Sequence, residues 1–268
     1  MGLDLEKLSS KEFIEKFDKP SVEEKLIEIP DGLIQFSRNK VLDYCLSKKV
    51  GLKDEPSPRV LVNWVDKNLV EISPEDKGKI KRFNKLESTW LNILVELRGF
   101  GLPLESLQRT RKMLFDYILN DFSLFKFQFL NTILYEPQTI VVHKDGYVRI
   151  MATDIYIKLH KKNMLMPHIN LNIGDFIKLE YKNQSLEHDF EINDIYRSEE
   201  KMKLLYFLRT GDYQFMKVEL SDGDVRYFEN INMLLKSDDV LKSFSEWNFK
   251  EIIVSIDDKV ETKIKPKT

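Results

Sequence analysis

The chain has 268 residues, of which 42% are hydrophobic, 11% aromatic and 32% charged. This composition is typical of a globular protein and excludes a largely disordered one, and the length favours two domains. No run approaches the roughly 18 apolar residues that a membrane-spanning helix needs, and the first residues, MGLDLEKLSSKEF, lack the apolar core of a secretory signal. The single cysteine, Cys45, cannot form an internal disulfide and is expected to be a small buried hydrophobe. We therefore expect a cytoplasmic protein that makes no membrane contact.

The net charge of −2 conceals an uneven distribution along the chain. Residues 1–37 contain 5 basic and 9 acidic residues, residues 38–117 contain 16 and 11, and residues 118–268 contain 21 and 24. A basic excess over about eighty residues suits a polyanionic partner, although many solvated helical faces carry similar charge.

Residues 1–35 are predicted to form an acidic helical leader, made of two short helices that are broken at Pro20 and end at Pro30. In SVEEKLIEIP, Ser21 and Glu24 have the spacing of a capping box. Such a leader could dock on the core of its own chain or on a partner, and we expect the first.

Helical periods continue through residues 36–118. The first helix is expected in SRNKVLDYCLSKKV, and the second begins with Ser57 as its cap and Pro58 at the favoured first position. A polar segment, EISPEDKGKIKRFNK, separates it from a third helix that Asn84 caps, LESTWLNILVELRGF. A fourth helix follows in LPLESLQRTRKMLFDYIL. The order is therefore helix, turn, helix, a short hairpin-like segment and two more helices.

This order resembles a winged helix-turn-helix domain of the MerR type. SPRVLVNWVDKNLV is similar to that family's turn and second helix, S-x-R-T-L-R-Y-Y-E-x-x-G-L-L. KIKRFNKLE is similar to the end of its wing, and LNILVELRGFGLPLESLQRTRKML resembles its L-x-x-I-x-x-L-R-x-L-G-F-S-L-E-E-I motif. The resemblance covers about residues 36–118, under a third of the chain.

The resemblance implies that the second helix enters the major groove of double-stranded DNA while the wing grips the backbone. It also implies that Trp64 packs in the core. No cofactor is expected, since Cys45 alone cannot supply the thiolate metal or redox sensing of some relatives. The side chains expected to face DNA are Ser57, Arg59, Val62, Asn63 and Lys67 on the second helix, Lys77, Lys79, Lys81 and Arg82 on the wing, and Arg98 near the following turn.

Each of these side chains has an alternative role. Arg59 suits guanine or phosphate and Asn63 suits adenine, but Arg59 could instead pair with Asp54 or Glu55. The wing lysines could belong to an ordinary solvated turn. Taken together, within a winged helix, DNA contact is the better interpretation.

Two positions depart from the family pattern. Val62 stands where the family usually has an arginine that contacts DNA, which could weaken or retarget base recognition. Asn68 replaces the usual glycine after the helix, and asparagine tolerates the left-handed conformation that glycine supplies.

Residues 119–268 are predicted to form a β-rich α+β domain, so the whole chain is expected to be α+β. FQFLNTIL and IGDFIKLEYK are expected to be strands, TIVVHKDGYVRIM a hairpin with its turn at Asp145-Gly146, and DIYIKLHKKNMLMP either helix or loop. A weak internal repeat predicts a helix followed by a hairpin in residues 198–230 and again in 237–265.

No arrangement of residues points to catalysis. His143, His160, His168 and His188 lie in unrelated sequence contexts without metal-ligand spacing, and no phosphate loop, nucleophile elbow or zinc motif occurs. The pairs Glu199-Glu200 and Asp238-Asp239 stand at predicted helix starts, where acidic residues are favoured.

The sequence therefore predicts a sequence-specific DNA-binding protein that is not an enzyme, with transcriptional regulation as its role. Its carboxy-terminal half would bind a second copy of the chain, a protein or a small-molecule effector. Two alternatives remain: an accessory DNA-binding factor of a mobile element, acting in recombination, replication or packaging, and a protein-interaction module that has lost DNA binding.

Overall fold

A computed structural model describes residues 11–51, 56–76, 81–181 and 192–266. The α-helices are α1 (Lys11–Ile27), α2 (Asp31–Ser37), α3 (Lys40–Ser47), α4 (Pro58–Asp66), α5 (Lys85–Gly99), α6 (Leu104–Phe115), α7 (Leu124–Leu134), α8 (Thr153–Lys161), α9 (Ile173–Lys178), α10 (Glu199–Thr210), α11 (Ile231–Leu234) and α12 (Asp238–Ser245). The strands are β1 (Val50–Gly51), β2 (Arg82–Phe83), β3 (Ile118–Leu119), β4 (Phe122–Ser123), β5 (Gln138–His143), β6 (Val148–Ala152), β7 (His168–Asn172), β8 (Phe215–Leu220), β9 (Val225–Phe228), β10 (Phe249–Ser255) and β11 (Glu261–Ile264). The fold is mixed α+β with small antiparallel sheets, as predicted.

The chain divides into two compact units. The first unit comprises Met1–Ile29, Val50–Thr132 and Pro137–Ile173, and the second comprises Pro30–Lys49, Ile133–Glu136 and Gly174–Thr268. Each unit is therefore assembled from segments that are distant in sequence. Of the predicted 36–118 range, residues 36–49 belong to the second unit and residues 50–118 to the first.

The first unit contains a three-stranded antiparallel sheet in the order β6-β5-β7. The predicted β5–β6 hairpin is confirmed, and Gly146 turns the chain with a φ of 84°. Helix α6 packs against this turn, because Ser106 Oγ donates to the Lys144 carbonyl at 2.8 Å and Thr110 Oγ1 donates to the Gly146 carbonyl at 2.9 Å. A side chain at Gly146 would place its Cβ 2.0 Å from the Ser106 carbonyl oxygen, so only glycine fits there.

Residues 11–27 of the leader form one continuous helix, α1, so the predicted break at Pro20 is wrong, and Ser21 and Glu24 lie inside the helix rather than at its start. A proline inside a helix removes one backbone hydrogen bond, but side-chain contacts on both sides of Pro20 hold this helix together. Asp18 is paired with Arg109 at 2.7 Å, and Val22 and Leu26 are each only 1% exposed. Helix α1 therefore docks within its own chain, as part of the first unit, whereas residues 30–35 of the predicted leader belong to the second unit.

Two predicted strands are helices. Residues 127–134 belong to α7, and most of the segment 173–182 that the structure describes is α9. In α7, Phe125, Phe129, Leu130 and Ile133 are fully buried, and Gln128 and Thr132 are almost so. Because nearly every side chain is buried, the sequence carries no helical period of apolar residues, and a continuous apolar run is also typical of a buried strand.

The second unit contains a four-stranded antiparallel sheet in the order β11-β10-β8-β9. Helix α10 leads into hairpin β8–β9, and α12 leads into hairpin β10–β11, which confirms both predicted helix–hairpin pairs. Within the described residues, the range 119–268 contains six α-helices and eight complete strands, so it is mixed rather than β-rich. Of the segment 154–167, expected to be either helix or loop, residues 154–161 belong to helix α8 and residues 162–167 lie outside any helix.

Helix α10 is the most buried helix of the second unit. Nine consecutive residues, Met202–Thr210, are buried, and the acidic pair Glu199-Glu200 forms its first turn as predicted. Cys45 on α3 is fully buried in the same unit, as expected. Across the described residues, every helix is too short or too polar to cross a bilayer.

Candidate nucleic-acid interface

Helix α4 in the first unit has two contrasting faces. Leu61 and Trp64 are each 3% exposed and anchor the inner face. The outer face carries Arg59, Asn63 and Lys67, at intervals of four residues, and all three side chains are exposed. Residues spaced by four lie on the same side of a helix, so these side chains form one stripe, which we call the α4 stripe.

The end of α4 is fixed to the helices that follow it. Asn68 adopts the left-handed conformation expected after the helix, with a φ of 54°. The Trp90 indole Nε1 donates to the Leu69 carbonyl at 2.8 Å, and Gln108 Nε2 donates to the Lys67 carbonyl at 2.8 Å. Hydrogen bonds from both α5 and α6 therefore hold the carboxyl end of α4 in a defined orientation.

The side chains of the α4 stripe are available for an external partner. Ser57 precedes α4, and its hydroxyl does not cap the helix. Among the residues that the structure describes, Ser57, Arg59, Asn63 and Lys67 have no side-chain hydrogen bond or ion pair. The alternative partners Asp54 and Glu55 lie outside the described residues. One acidic residue of this helix, Asp66, is also exposed.

Strand β2 lies in the segment where the wing was predicted, but its partner β1 precedes α4, so the described residues do not form the hairpin-like segment expected between the second and third helices. Strand β1 pairs with β2, with Val50 opposite Phe83 and Gly51 opposite Arg82. The Arg82 guanidinium bonds the buried Asp76 carboxylate, with Nη2 and Nε at 2.8 and 2.9 Å from Oδ1. Arg82 therefore already has a partner and holds the 3-10 turn Pro74–Asp76 against β2.

The other basic side chains predicted to contact DNA differ in their exposure and in their contacts. Arg98 is exposed, but its Nη1 donates to the Leu102 carbonyl, so it stabilises the turn between α5 and α6. Lys81 is half-buried. Lys77 and Lys79 lie outside the described residues. The exposed group that the structure brings together is thus the α4 stripe, together with Ser57.

Three of the histidines, which lie in unrelated sequence contexts, come close together in the structure. The ring of His168 lies 6.2 Å from His143 and 6.2 Å from His160, and Tyr156 stacks on His160 with ring centroids 5.7 Å apart. Strand pairing places His143 opposite His168, and α8 brings Tyr156 and His160 to the same place. The four-residue spacing of Tyr156 and His160 was visible in the sequence, but the register of β7 on β5 was not.

This cluster is not a metal centre in the structure, since no group of His, Cys, Asp and Glu within the described ranges is arranged to hold an ion. His188 lies outside those ranges. Comparison of the chain with protein-family models, with curated proteins and with solved structures found no match. The resemblance to MerR-type domains therefore rests on the quoted motifs alone.

Proposed function

We propose that this chain binds double-stranded DNA through the outer face of α4 and acts as a sequence-specific regulator of transcription. The observation that carries the proposal is the α4 stripe of Arg59, Asn63 and Lys67, exposed on a helix whose Leu61 and Trp64 are buried. The major groove of B-DNA is about 12 Å wide and admits an α-helix. The nine residues of α4 make a helix about 14 Å long, which is enough to contact a few successive base pairs.

The chemistry of the stripe suits base recognition. A guanidinium such as that of Arg59 donates two hydrogen bonds to guanine, and an amide such as that of Asn63 both donates to and accepts from adenine. Each such bidentate contact discriminates against a wrong base by about 1–3 kcal/mol. Lys67 and the Ser57 hydroxyl, at the two ends of α4, are suited to phosphate oxygens.

The part of the chain proposed to bind DNA is narrower than the resemblance implies. It consists of residues 50–115 of the first unit, which contain β1, α4, β2, α5 and α6, whereas α3 belongs to the second unit. Arg82 is neutralised by Asp76, and Arg98 is bound to a carbonyl. Among the described residues, Arg59, Lys67 and Lys81 remain as cations that can neutralise phosphates, and together we expect them to contribute about −3 to the slope of log K against log salt.

The test is fluorescence anisotropy with the full chain and a labelled duplex of mixed sequence, at several salt concentrations. The variant Arg59→Ala/Lys67→Ala is expected to weaken binding by at least about tenfold and to reduce the slope by about two. Arg197→Ala/Lys242→Ala is the matched control, since both side chains are highly exposed in the second unit and the charge change is the same. If the unaltered chain does not bind at low salt, the proposal is wrong.

A second candidate is a protein-interaction role for the same helix. Val60 and Val62 are 39% and 49% exposed on α4, and exposed valines beside the stripe suit a protein surface better than a phosphate backbone. This candidate predicts no DNA binding at any salt concentration, so the anisotropy experiment separates the two.

A further inference from the structure

The first unit contains a cleft of about 560 Å³ beside the histidine cluster. Phe100, which follows α5, lines the cleft together with Tyr156 and His160 of α8. Met166, which precedes β7, and His168, the first residue of β7, complete this part of the lining. Phe100 and Met166 are 59% and 67% exposed, although apolar side chains of this size are usually covered. A cleft of this volume is within the range of small-molecule sites, which are commonly lined by aromatic groups and a few polar ones.

A chain of hydrogen bonds holds the polar wall of the cleft rigid. His168 Nδ1 lies 2.6 Å from the Met166 carbonyl oxygen, which only accepts, so Nδ1 carries the proton. In the neutral ring Nε2 is then an acceptor, and the Tyr156 hydroxyl donates to it at 3.1 Å. The Asn170 amide nitrogen in turn donates to the Tyr156 oxygen. Because the Asn170 amide nitrogen donates this hydrogen bond, the amide oxygen of the same side chain remains as an acceptor at the wall of the cleft.

The lining that the structure describes contains no permanently charged side chain. As far as the structure describes it, the cleft is lined by aromatic, aliphatic, thioether, imidazole and amide side chains, without Lys, Arg, Asp or Glu. A charged ligand would lose its hydration there without gaining an ion pair, which is unfavourable. A base within a nucleic-acid strand would bring phosphates next to the cleft, so the absence of a lining cation favours a free molecule.

We propose that this cleft binds an uncharged, planar heteroaromatic small molecule. The rings of Phe100 and His160 supply surfaces for stacking, and the amides of Asn163 and Asn170 supply donors and acceptors for the polar edge of the ligand. The proposal does not depend on DNA binding by α4.

The test uses the full chain labelled with ¹³C at the methionine methyl groups and titrated with 9-methyladenine. A bound ring shifts nearby methyl resonances, so the Met166 signal is expected to move and saturate. Met216, fully buried in the sheet of the second unit, is the internal reference and is expected to stay fixed. The absence of a saturable Met166 shift overturns the proposal.

Two variants remove ring faces while keeping apolar bulk, Phe100→Leu and His160→Leu. Loss of one stacking partner is expected to lower the affinity at least about fivefold. Tyr227→Leu, which changes a ring 61% exposed on β9, is the matched control and is expected to have no effect. Unchanged affinity in both cleft variants overturns the proposal.

Two further probes define the ligand class. Cyclohexanol, which is not planar, and AMP, which carries phosphate, are both expected to bind more weakly than 9-methyladenine. Equal or tighter binding of cyclohexanol contradicts the planar class, and tighter binding of AMP contradicts the uncharged class.

Discussion

Helix α4 exposes one complete face, whereas α7 exposes almost nothing. On α4, Arg59 and Asn63 project from a helix that two buried side chains hold in place. On α7, by contrast, Phe125 and Phe129 are fully buried, and Thr132, although polar, is also buried and donates to the Gln128 carbonyl. A helix of the first kind can be altered on its outer face at little cost in stability, while a helix of the second kind cannot. Substitutions in the two helices should therefore have opposite consequences for folding and for binding.

The largest effect on stability is expected in α7. Phe129→Ala removes a fully buried ring and should lower the free energy of unfolding by about 3–5 kcal/mol, because the cavity that it leaves is only partly filled. Urea unfolding followed by circular dichroism measures this. The control is Val62→Ala on the outer face of α4, for which the change should stay within about 0.5 kcal/mol. Similar losses in both variants would contradict the contrast between the helices.

Arg109 and Arg59 allow the same comparison between a side chain in buried contacts and an exposed one, here for a charged group. Arg109 pairs with Asp18, which is 3% exposed, and with Asp145, and these carboxylates raise the pKa of its guanidinium. Arg109→Ala leaves a buried carboxylate without this partner, and we expect a loss of about 3 kcal/mol. Arg59→Ala should cost less than about 0.5 kcal/mol of stability and should weaken only DNA binding. Chemical unfolding of both variants is the measurement, and a stable Arg109→Ala chain would show that α1 is held by other contacts.

The features that could be predicted from the sequence are those that depend on neighbouring residues or on a half-buried helix face. Ser57–Pro58, the Asn84 cap, Asn68 and the Asp-Gly turn are local signals, because the residues that determine them are neighbours in sequence. All of them appear in the structure, although the Ser57 hydroxyl itself does not cap α4. The outer face of α4 was also predicted, since a half-buried helix has a periodic sequence.

The wrong predictions concern features that are determined by contacts between segments distant in sequence. Residues 127–134 have no periodicity because their surroundings bury every side, and Pro20 is tolerated because Arg109 and a buried apolar face hold α1. The histidine cluster depends on strand register, and the partners of Arg82 and Arg98 depend on tertiary placement. None of these can be read from composition or spacing.

Substitution of Asp257 is expected to have a smaller effect on stability, and this effect depends on pH. Asp257 accepts hydrogen bonds from the Tyr44 hydroxyl, from the backbone of Lys259 and from Lys48 at 3.1 Å, and these contacts lower its pKa well below the usual value. A lowered folded-state pKa contributes stability that is present above the unfolded value of about 3.9 and is lost as the pH falls through the folded value. Asp257→Asn should therefore destabilise the chain at neutral pH, and the difference from the unaltered chain should shrink below about pH 4.

The measurement is urea unfolding across the acid range, with Asp66→Asn on α4 as the control. Asp66 is exposed, so its substitution should not change the pH dependence. A constant difference between Asp257→Asn and the unaltered chain at every pH would mean that the contacts of Asp257 do not depend on its charge.

The smallest effect on stability, and the most informative one for function, is expected from Val62→Arg. Val62 is 49% exposed on α4, at the position where the proposed resemblance to MerR-type domains would place an arginine that contacts DNA. An exposed substitution by a good helix former should change the free energy of unfolding by less than about 0.5 kcal/mol. If α4 lies in the major groove, the new guanidinium neutralises one more phosphate, so binding should tighten and the salt slope should steepen by about one. Val62→Gln, similar in length but uncharged, should leave the slope unchanged. A slope that is the same for arginine and glutamine would mean that this face of α4 does not meet the DNA backbone, and the protein-interaction role would then be the better account of its exposed valines.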